Sequence, residues 1–299
     1  MKNISIVIPH YNSWNKLTEL LQTIPEKEDI EVIVVDDNSN EQDLNLRKIS
    51  SDFPHVKFKK NAKNNRGAGA ARNLGLSFVT GEWVIFADAD DLFTDNFYNI
   101  VENYFNSIHD IIYFAPTSFI DGTGEESNRH LFYKELVTHH INNSTETTEL
   151  RLRLSFHVPW SKMVRRKRVV EKQVSFEEIM YSNDVLFSAK IGYFANSILA
   201  SEEVIYSVRE SSESLTSTMD NMKFKIRFDA WVDFVNFMYD NLSPHEIGLL
   251  RISALPQLLQ VYKNKLGLKS LNYIFKESFK NKIPLVNMQQ IIEKIRRVN

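Results

Sequence analysis

The chain has 299 residues, with 36 basic and 38 acidic side chains and no cysteine. This length is enough for one large domain or two smaller ones. The balanced charge argues against a general nucleic-acid binder, and the absence of cysteine excludes disulfides and thiolate chemistry. Met1–His10 lacks the pattern of a secretion signal, and no window approaches the roughly 20 apolar residues of a membrane span. We therefore expect a cytoplasmic protein.

Strands and helices alternate in the first third of the chain. Short apolar runs predict buried strands at Ile4–Ile8, Val32–Val35, Val56–Phe58, Trp83–Ala87 and Ile111–Ala115. Amphipathic spacing predicts helices between them, including Ala68–Phe78. This alternation is typical of an α/β fold with a largely parallel sheet flanked by helices. Ligands of such sheets bind beyond the carboxyl ends of the strands.

Three polar clusters follow predicted strands and are expected to meet at that edge. They are Pro9–Asn12, Asp36–Ser39 and Asp88–Asp91. Strand alternation predicts that Asp88 and Asp90 point to the same side, where both can reach one hard divalent cation that carries a phosphorylated substrate. The alternative is that these acids cap a helix beginning after Leu92.

The pattern changes in the second half of the chain. His139–Thr148 is polar and predicts a loop or the start of a helix, and strand signals fade after about residue 220. Helices are predicted at Phe224–Tyr239, Glu246–Lys265, Ser270–Lys280 and Asn287–Val298. Residues 263–299 contain nine Lys or Arg and two Glu. A basic amphipathic tail is typical of a segment that lies on an anionic membrane. The alternative is a helix packed on the rest of the chain or on a partner in a homo-oligomer.

Four motifs occur in a fixed order, namely Ile6–Asn12, Val34–Ser39, Gly67–Gly75 and Phe86–Asp91. Together they resemble the signature of family 2 glycosyltransferases, which have the GT-A fold with a Rossmann-like nucleotide-binding half. The resemblance implies a GT-A domain over residues 1–218, followed by a helical C-terminal region over residues 219–299. Within that domain, residues 1–116 would bind the nucleotide-sugar and residues 117–218 would supply the acceptor site and the catalytic base.

The resemblance also implies which residues bind the nucleotide-sugar. Asp37 matches the residue that accepts a hydrogen bond from the pyrimidine ring, which a carboxylate does without needing a proton of its own. A turn that caps the next helix is the alternative role for Asp37. The other matching residues are Pro9, Tyr11, Asn12, Asn64, Arg72, Asp88 and Ala89. Gly67–Arg72 mimics a dinucleotide fingerprint, but Arg72 fills its third small position, which argues against a Rossmann cofactor site. We expect its glycines to bring the helix start close to the nucleotide.

The acidic motif implies a metal ion. By resemblance, Asp90 is the direct ligand of Mn²⁺ or Mg²⁺, and Asp88 contacts both the metal and the ribose. The ion would neutralise charge that develops on the departing diphosphate. Asp91 is expected to support these residues or to cap a helix.

An inverting transfer needs a general base, and Asp184 matches it. The family has Glu-Asp where this chain has Asn183-Asp184, so the role of the first acid is in doubt. A helix N-cap is the alternative role for Asp184, and Glu177 and Glu178 are reserve candidates for the base. Trp160 lies in a Trp-x-Lys element that resembles the acceptor-facing element of the family, although a core tryptophan is nearly as consistent with the pattern.

These observations predict an inverting, metal-dependent hexosyl- or N-acetylhexosaminyltransferase. It would use a UDP-sugar to extend a glycan or lipid-linked acceptor of a bacterial surface polysaccharide, such as capsule, O-antigen or lipooligosaccharide. Its predicted location is the cytoplasm, with the inner face of the cell membrane as a peripheral site. The alternatives are an Asp-x-Asp phosphatase, which normally has Thr or Val where Leu92 stands, and a non-catalytic nucleotide-sugar-binding protein.

Overall fold

The computed structural model describes residues 2–40, 42–62, 67–211 and 219–287. The chain divides into two compact units, Met1–Ser212 and Glu213–Asn299. The predicted domain boundary at residue 218 lies outside the described residues and stays a prediction. Among the described helices, none is both long and apolar enough to cross a membrane.

The strands of the first unit are β1 (Ile4–His10), β2 (Ile30–Asp36), β3 (Val56–Lys60), β4 (Trp83–Phe86), β5 (Leu92–Phe93), β6 (Ile111–Phe114), β7 (Thr117–Ile120), β8 (Lys162–Arg165), β9 (Ile198–Ser201) and β10 (Tyr206–Glu210). The main sheet has seven strands in the order β3-β2-β1-β4-β8-β6-β9, and β8 runs antiparallel to both of its neighbours. A smaller sheet has the order β5-β10-β7. The α/β fold with a mostly parallel sheet is confirmed.

The helices of the first unit are α1 (Trp14–Gln22), α2 (Gln42–Asp52), α3 (Ala68–Leu76), α4 (Phe97–Glu102), α5 (Leu131–Asn142), α6 (Glu146–Ser155), α7 (Arg166–Glu171) and α8 (Val185–Phe194). Apolar side chains alternate between two cores on opposite faces of the sheet. Ile6 and Ile8 belong to one core, and Val7 belongs to the other. Helices cover both faces, which explains why every residue of β1 is buried.

The second unit is helical, with α9 (Asn221–Asn241), α10 (Pro244–Leu250), α11 (Leu255–Lys263) and α12 (Gly267–Lys280). The single helix predicted at Glu246–Lys265 is wrong, because α10 ends at Arg251 in the left-handed conformation with φ 53°. The predicted helix at Asn287–Val298 lies outside the described residues except for Asn287. His139–Thr148 contains the end of α5 and the start of α6, which Thr145 caps by accepting from the Thr148 backbone N–H.

Candidate active site

The loop after β1 holds an exposed tyrosine next to the end of β2. Tyr11 is 58% exposed, and Asn12 has a left-handed backbone with φ 55°, which asparagine tolerates better than most residues. The Asn12 backbone N–H donates to Ser39 Oγ at 2.8 Å, and its side-chain oxygen accepts from the Asn40 N–H at 2.7 Å. Pro9, within β1, is buried. The Tyr11 ring is therefore held at the predicted edge with its surface open for stacking.

A buried hydrogen-bond network holds the loop after β1 in place. His10 Nδ1 lies 2.9 Å from Asp36 Oδ1, and His10 Nε2 accepts from the Ser13 N–H at 3.2 Å. Burial would raise the pKa of Asp36, but hydrogen bonds from His10 and Ser39 outweigh it and hold this pKa below its ordinary value. Since Ser39 Oγ donates to Asp36 and not to the imidazole, the three side chains hold the loop and are not arranged as a nucleophilic triad.

Asp37 bridges the end of β2 and the start of α3. Its Oδ1 accepts from Asn61 Nδ2 at 2.8 Å, and its Oδ2 accepts from the Gly67 N–H at 2.6 Å. These two partners lie after β3 and before α3. Among the residues that the structure describes, Asp37 thus bonds to these segments and not to the helix that follows β2. Each carboxylate oxygen keeps a lone pair for a ligand N–H. Asn64 lies outside the described residues.

Arg72 connects the acidic loop after β4 with the turn that carries Asp184. Its buried guanidinium donates through Nη1 to Asn183 Oδ1 at 2.9 Å and through Nη2 to Asp88 Oδ1 at 2.5 Å. It also lies over the Phe176 ring, 5.2 Å from the centroid. Arg72 and Asp88 thus form a salt bridge that joins two predicted site residues, with the guanidinium away from the open surface. Asn183, where the family has an acid, is thus the neutral acceptor for Arg72.

Gly69 allows α3 to pack directly against the same turn. A Cβ at this position would lie 2.2 Å from the Glu177 carbonyl oxygen and 3.0 Å from Asn183 Cβ. The close approach at Gly69 therefore serves a contact within the protein. It sets the position of Arg72 relative to the Asp184 turn. The expectation that the glycines of Gly67–Arg72 bring the helix start close to the nucleotide stays a prediction.

Asp88 and Asp90 lie in a turn and not on a strand. Because β4 ends at Phe86, the strand alternation used to place the two carboxylates does not apply, and that reasoning is wrong. The turn closes with the Asp91 N–H donating to the Asp88 carbonyl at 3.1 Å. Asp90 as a whole residue is exposed. The protein around its carboxylate nevertheless shields the charged form from water and raises its pKa, and the charge of Asp88 raises this pKa further. The two acids therefore share one electrostatic environment, with the buried Ala89 between them.

Asp91 anchors this turn to β10. Its Oδ2 accepts from Tyr206 Oη at 2.9 Å, and its Oδ1 accepts from the Arg209 N–H at 2.7 Å. Tyr206 Oη also accepts from the Asp88 N–H at 2.8 Å, and Arg209 Nε donates to the Asp90 carbonyl at 2.7 Å. Burial raises the pKa of Asp91 well above its ordinary value, and the charges of Asp90 and Asp88 add to it. The suggested helix after Leu92 is wrong, since Leu92 begins β5.

Two carboxylates of this turn, those of Asp88 and Asp90, are of the kind that suits a hard cation. In the parts of the chain that the structure describes, no three or more His, Asp or Glu side chains are grouped to hold a metal ion. Burial is the main reason that the pKa of Asp90 is raised, the charge of Asp88 adds to it, and nearby Lys16 and Arg129 act in the opposite direction. Carboxylate oxygens fit Mg²⁺ or Mn²⁺, and a bound ion would need further oxygen ligands, which the phosphates of a substrate could supply.

Asp184 lies immediately before α8 without capping it. Its side chain makes no capping hydrogen bond, so the alternative role of N-cap is not what this carboxylate does. Burial raises the pKa of Asp184, and the charge of Asp88 adds to the shift. Arg72 and Lys162 oppose it. A carboxylate with a raised pKa is a stronger base, which is what proton abstraction from a hydroxyl needs.

An aromatic cluster and a buried lysine line the Asp184 side of the site. Burial lowers the pKa of Lys162 to about 7, although the charge of Asp184 acts in the opposite direction. Burial raises the pKa of Tyr133, and the charge of Asp184 adds to it. Trp160 is 6% exposed, with its ring 5.2 Å from that of Tyr133 and stacked on that of Tyr206 at 5.5 Å. Neighbouring residues cover most of the Trp160 ring in this structure. Acceptor binding by Trp160 stays a prediction.

Tyr133 and Tyr206 are not among the residues predicted from the sequence, because an aromatic residue beside apolar neighbours indicates core packing. The Tyr206 hydroxyl reaches the site because β10 is hydrogen-bonded to the β4 turn. Tyr133, on α5, contacts the Trp160 ring.

Comparison with known proteins agrees with these motifs. The model of the family described as Glycosyl transferase family 2 matches residues 5–172. The poly(ribitol-phosphate) beta-N-acetylglucosaminyltransferase TarS of Staphylococcus aureus is 26% identical over 224 residues, which cover 73% of this chain and 37% of TarS. A poly(ribitol-phosphate) beta-glucosyltransferase of Bacillus spizizenii is 40% identical over 94 residues, which cover 29% of this chain and 15% of that enzyme. The chain therefore corresponds to well under two thirds of the length of these relatives.

Solved structures support the fold. A fragment of S. aureus TarS in complex with UDP-GlcNAc matches with a TM-score of 0.64 and 22% identity, covering 84% of this chain and 71% of the fragment. The mannosyltransferase PcManGT from Pyrobaculum calidifontis, in complex with GDP-Man and Mn²⁺, matches with a TM-score of 0.57 and 18% identity, covering 82% of this chain and 66% of PcManGT. The predicted GT-A fold is confirmed.

Proposed function

Because the chain belongs to glycosyl transferase family 2, we propose that it transfers a sugar from a UDP-sugar, with inversion, to a hydroxyl of a bacterial surface polymer or its lipid-linked precursor. The relatives named above act on poly(ribitol phosphate), which favours a teichoic-acid-type acceptor over capsule, O-antigen or lipooligosaccharide. The complex of TarS with UDP-GlcNAc favours UDP as the nucleotide and makes GlcNAc the first sugar to test.

One observation carries this proposal, namely that Arg72 joins the two halves of the site. It contacts Asp88 on the side expected to bind the donor and Asn183 beside the expected base. The guanidinium is buried, so its contacts with the two turns are shielded from solvent. A donor at the β4 turn and an acceptor hydroxyl at Asp184 would then be held in one fixed arrangement. In-line displacement of the diphosphate by the acceptor oxygen requires such an arrangement.

Asp184 would act as the general base. Its carboxylate would take the proton of the acceptor hydroxyl while that oxygen bonds to the anomeric carbon and the bond from this carbon to the diphosphate oxygen breaks. The raised pKa of Asp184 favours this proton transfer. Asp37 would accept from the uracil N–H, and Tyr11 would stack on the base. Since an inverting reaction displaces the diphosphate directly, no covalent sugar–enzyme intermediate is expected.

Asp90 and Asp88 would hold Mn²⁺ or Mg²⁺ together with the diphosphate oxygens. The ion supplies Lewis-acid stabilisation of the leaving diphosphate. Asp91, buried and bonded to Tyr206 and Arg209, would keep the turn in place. The need for a metal is part of the proposal.

The test is release of UDP from UDP-GlcNAc and other UDP-sugars with poly(ribitol phosphate) and Mn²⁺. We expect wild-type chain to turn over and Asp184→Asn and Asp90→Asn each to lose at least about 100-fold in kcat. Asp95→Asn, the same change at an exposed position after β5, is the matched control and should behave as wild type. Wild-type rates in both site variants would refute the proposal.

Two further outcomes separate the alternatives. Phosphate release from an aryl phosphate would favour an Asp-x-Asp phosphatase. Binding of a UDP-sugar without turnover of any acceptor would favour a non-catalytic binder. The proposed location is the cytoplasm at the inner face of the membrane, where lipid-linked acceptors are found.

A further inference from the structure

The last described helix, α12, has one face fixed against α9. Its buried residues recur at every fourth position and are Ser270, Ile274 and Ser278. Tyr273 Oη donates to Asp229 Oδ1 on α9 at 2.6 Å. These contacts set the rotation of α12, so the direction of its other faces is defined.

An outward stripe of α12 is apolar. Leu268, Phe275 and Phe279 follow one another at intervals of seven and four residues and so lie on one side of the helix. They are 77%, 46% and 89% exposed. Phe275 and Phe279 also line a groove that continues to Ile283 and Leu285. Two exposed phenylalanines and an exposed leucine on one side of a helix are more than scattered surface residues, and such patches mark binding surfaces.

Lysines form a second stripe directly beside the first. Lys269, Lys276 and Lys280 each follow a residue of the apolar stripe by one position, so the two rows run side by side. The remaining lysines of this segment are Lys263, Lys265 and Lys282. Over residues 263–282 the only acidic residue is Glu277, which is largely buried and lies 3.7 Å from Lys280 Nζ. The surface therefore combines exposed aromatic groups with an excess of positive charge.

We propose that this α12 face binds the anionic surface of a lipid bilayer. Phe275, Phe279 and Leu268 would enter the boundary between headgroups and acyl chains, while the lysine row would lie against lipid phosphates. A second copy docking by the same face would bring two lysine rows together, which disfavours a symmetric dimer. If the proposed function is right, this surface would keep the enzyme beside a lipid-linked acceptor. Vesicle binding can be measured without donor or acceptor, so its outcome does not depend on transferase activity.

The experiment is co-sedimentation of the full chain with vesicles of phosphatidylcholine alone or with phosphatidylglycerol added. We expect binding to the mixed vesicles and little to the neutral ones, with a decrease at high salt because the lysines are screened. Lys276→Gln with Lys280→Gln should weaken binding by about thirtyfold, from the contribution of each lysine near an anionic surface. Phe275→Ser with Phe279→Ser should weaken it by at least about tenfold.

Matched controls use equally exposed residues of the first unit. Ile108 is 86% exposed, and Lys167 is also exposed, so Ile108→Ser with Lys167→Gln should bind vesicles as the wild type does. Circular dichroism and melting of each variant check that the fold is intact. Binding that is equal on neutral vesicles, absent on anionic ones, or unchanged in folded α12 variants would overturn the proposal. The proposal would also be overturned if Phe275→Ser with Phe279→Ser converted an oligomer to a monomer in sedimentation experiments while vesicle binding persisted.

Discussion

Replacing Asn183 by Asp introduces an acid at a position where the family has Glu, and it places a negative charge beside the expected base. Asn183 is buried, and its Oδ1 accepts from Arg72 Nη1 at 2.9 Å. The new carboxylate would gain an ion pair with Arg72. It would also repel Asp184 on one side and Asp88 on the other.

Coulomb's law gives the size of the effect on Asp184. Two carboxylates roughly 7 Å apart in a partly buried site, with an effective dielectric constant of about 20, repel by about 2 kcal/mol. That energy corresponds to more than one pH unit, and partial neutralisation by Arg72 reduces the expected change to about one unit. The charged form of Asp184 is disfavoured, so its pKa rises further.

The assay is kcat/KM for the donor between pH 5 and pH 9. The base must be deprotonated, so activity falls as the pH drops through its pKa, and Asn183→Asp should move this acidic limb upward by about one pH unit. Asn183→Ala should lower the rate with little movement of the limb, because it adds no charge and Arg72 is still held by Asp88. Asn99→Asp, at an exposed position on α4, is the control. An Asn183→Asp profile that superimposes on the wild-type profile would refute this account of Arg72 and Asn183.

Three further predictions concern the site. Gly69→Ala should lower the free energy of unfolding by about 1–3 kcal/mol and lower kcat, because its Cβ would meet the Glu177 carbonyl. Gly248→Ala places its Cβ in open space and should leave both quantities unchanged, and chemical denaturation compares the two variants. Tyr206→Phe should lower the free energy of unfolding by about 1–3 kcal/mol, since Asp91 loses a buried hydrogen-bond donor; an unchanged denaturation midpoint would contradict that role. Asp37→Asn should weaken UDP binding by about tenfold or more. It should also reduce the preference for UDP over CDP, because the corresponding ring nitrogen of cytosine has no proton to donate. Calorimetry with both nucleotides tests this, and an unchanged preference would exclude contact between Asp37 and the pyrimidine.

The parts of the fold that local sequence patterns determine were predicted correctly. Buried strands are largely apolar runs, so β1, β2, β4 and β6 were located, and the short strand β3, which is only partly buried, was located as well. The pattern of apolar spacing also continues through Arg251, where the left-handed backbone ends α10, so the predicted single helix was wrong. A non-glycine residue in that conformation leaves no clear mark on the sequence.

Sequence motifs identified candidate residues, but not how they interact. Asn183 was noted as a departure from the family pattern, yet its partner Arg72 is 111 residues away along the chain, and only the packing of α3 at Gly69 brings them together. The strand alternation used to place Asp88 and Asp90 does not apply, because β4 ends at Phe86, and where it ends depends on its pairing with β1 and β8. Tyr206 was missed since its hydroxyl acts at a turn more than 100 residues earlier in the sequence.

We propose that the β4 turn and Asp37 bind UDP together with a divalent cation. The decisive measurement is calorimetric titration of UDP into the full chain, with and without Mn²⁺. We expect binding that requires Mn²⁺ in the wild type and is lost in Asp90→Asn, with Asp95→Asn unchanged. No heat of binding with Mn²⁺ present, or identical binding by Asp90→Asn, would contradict it.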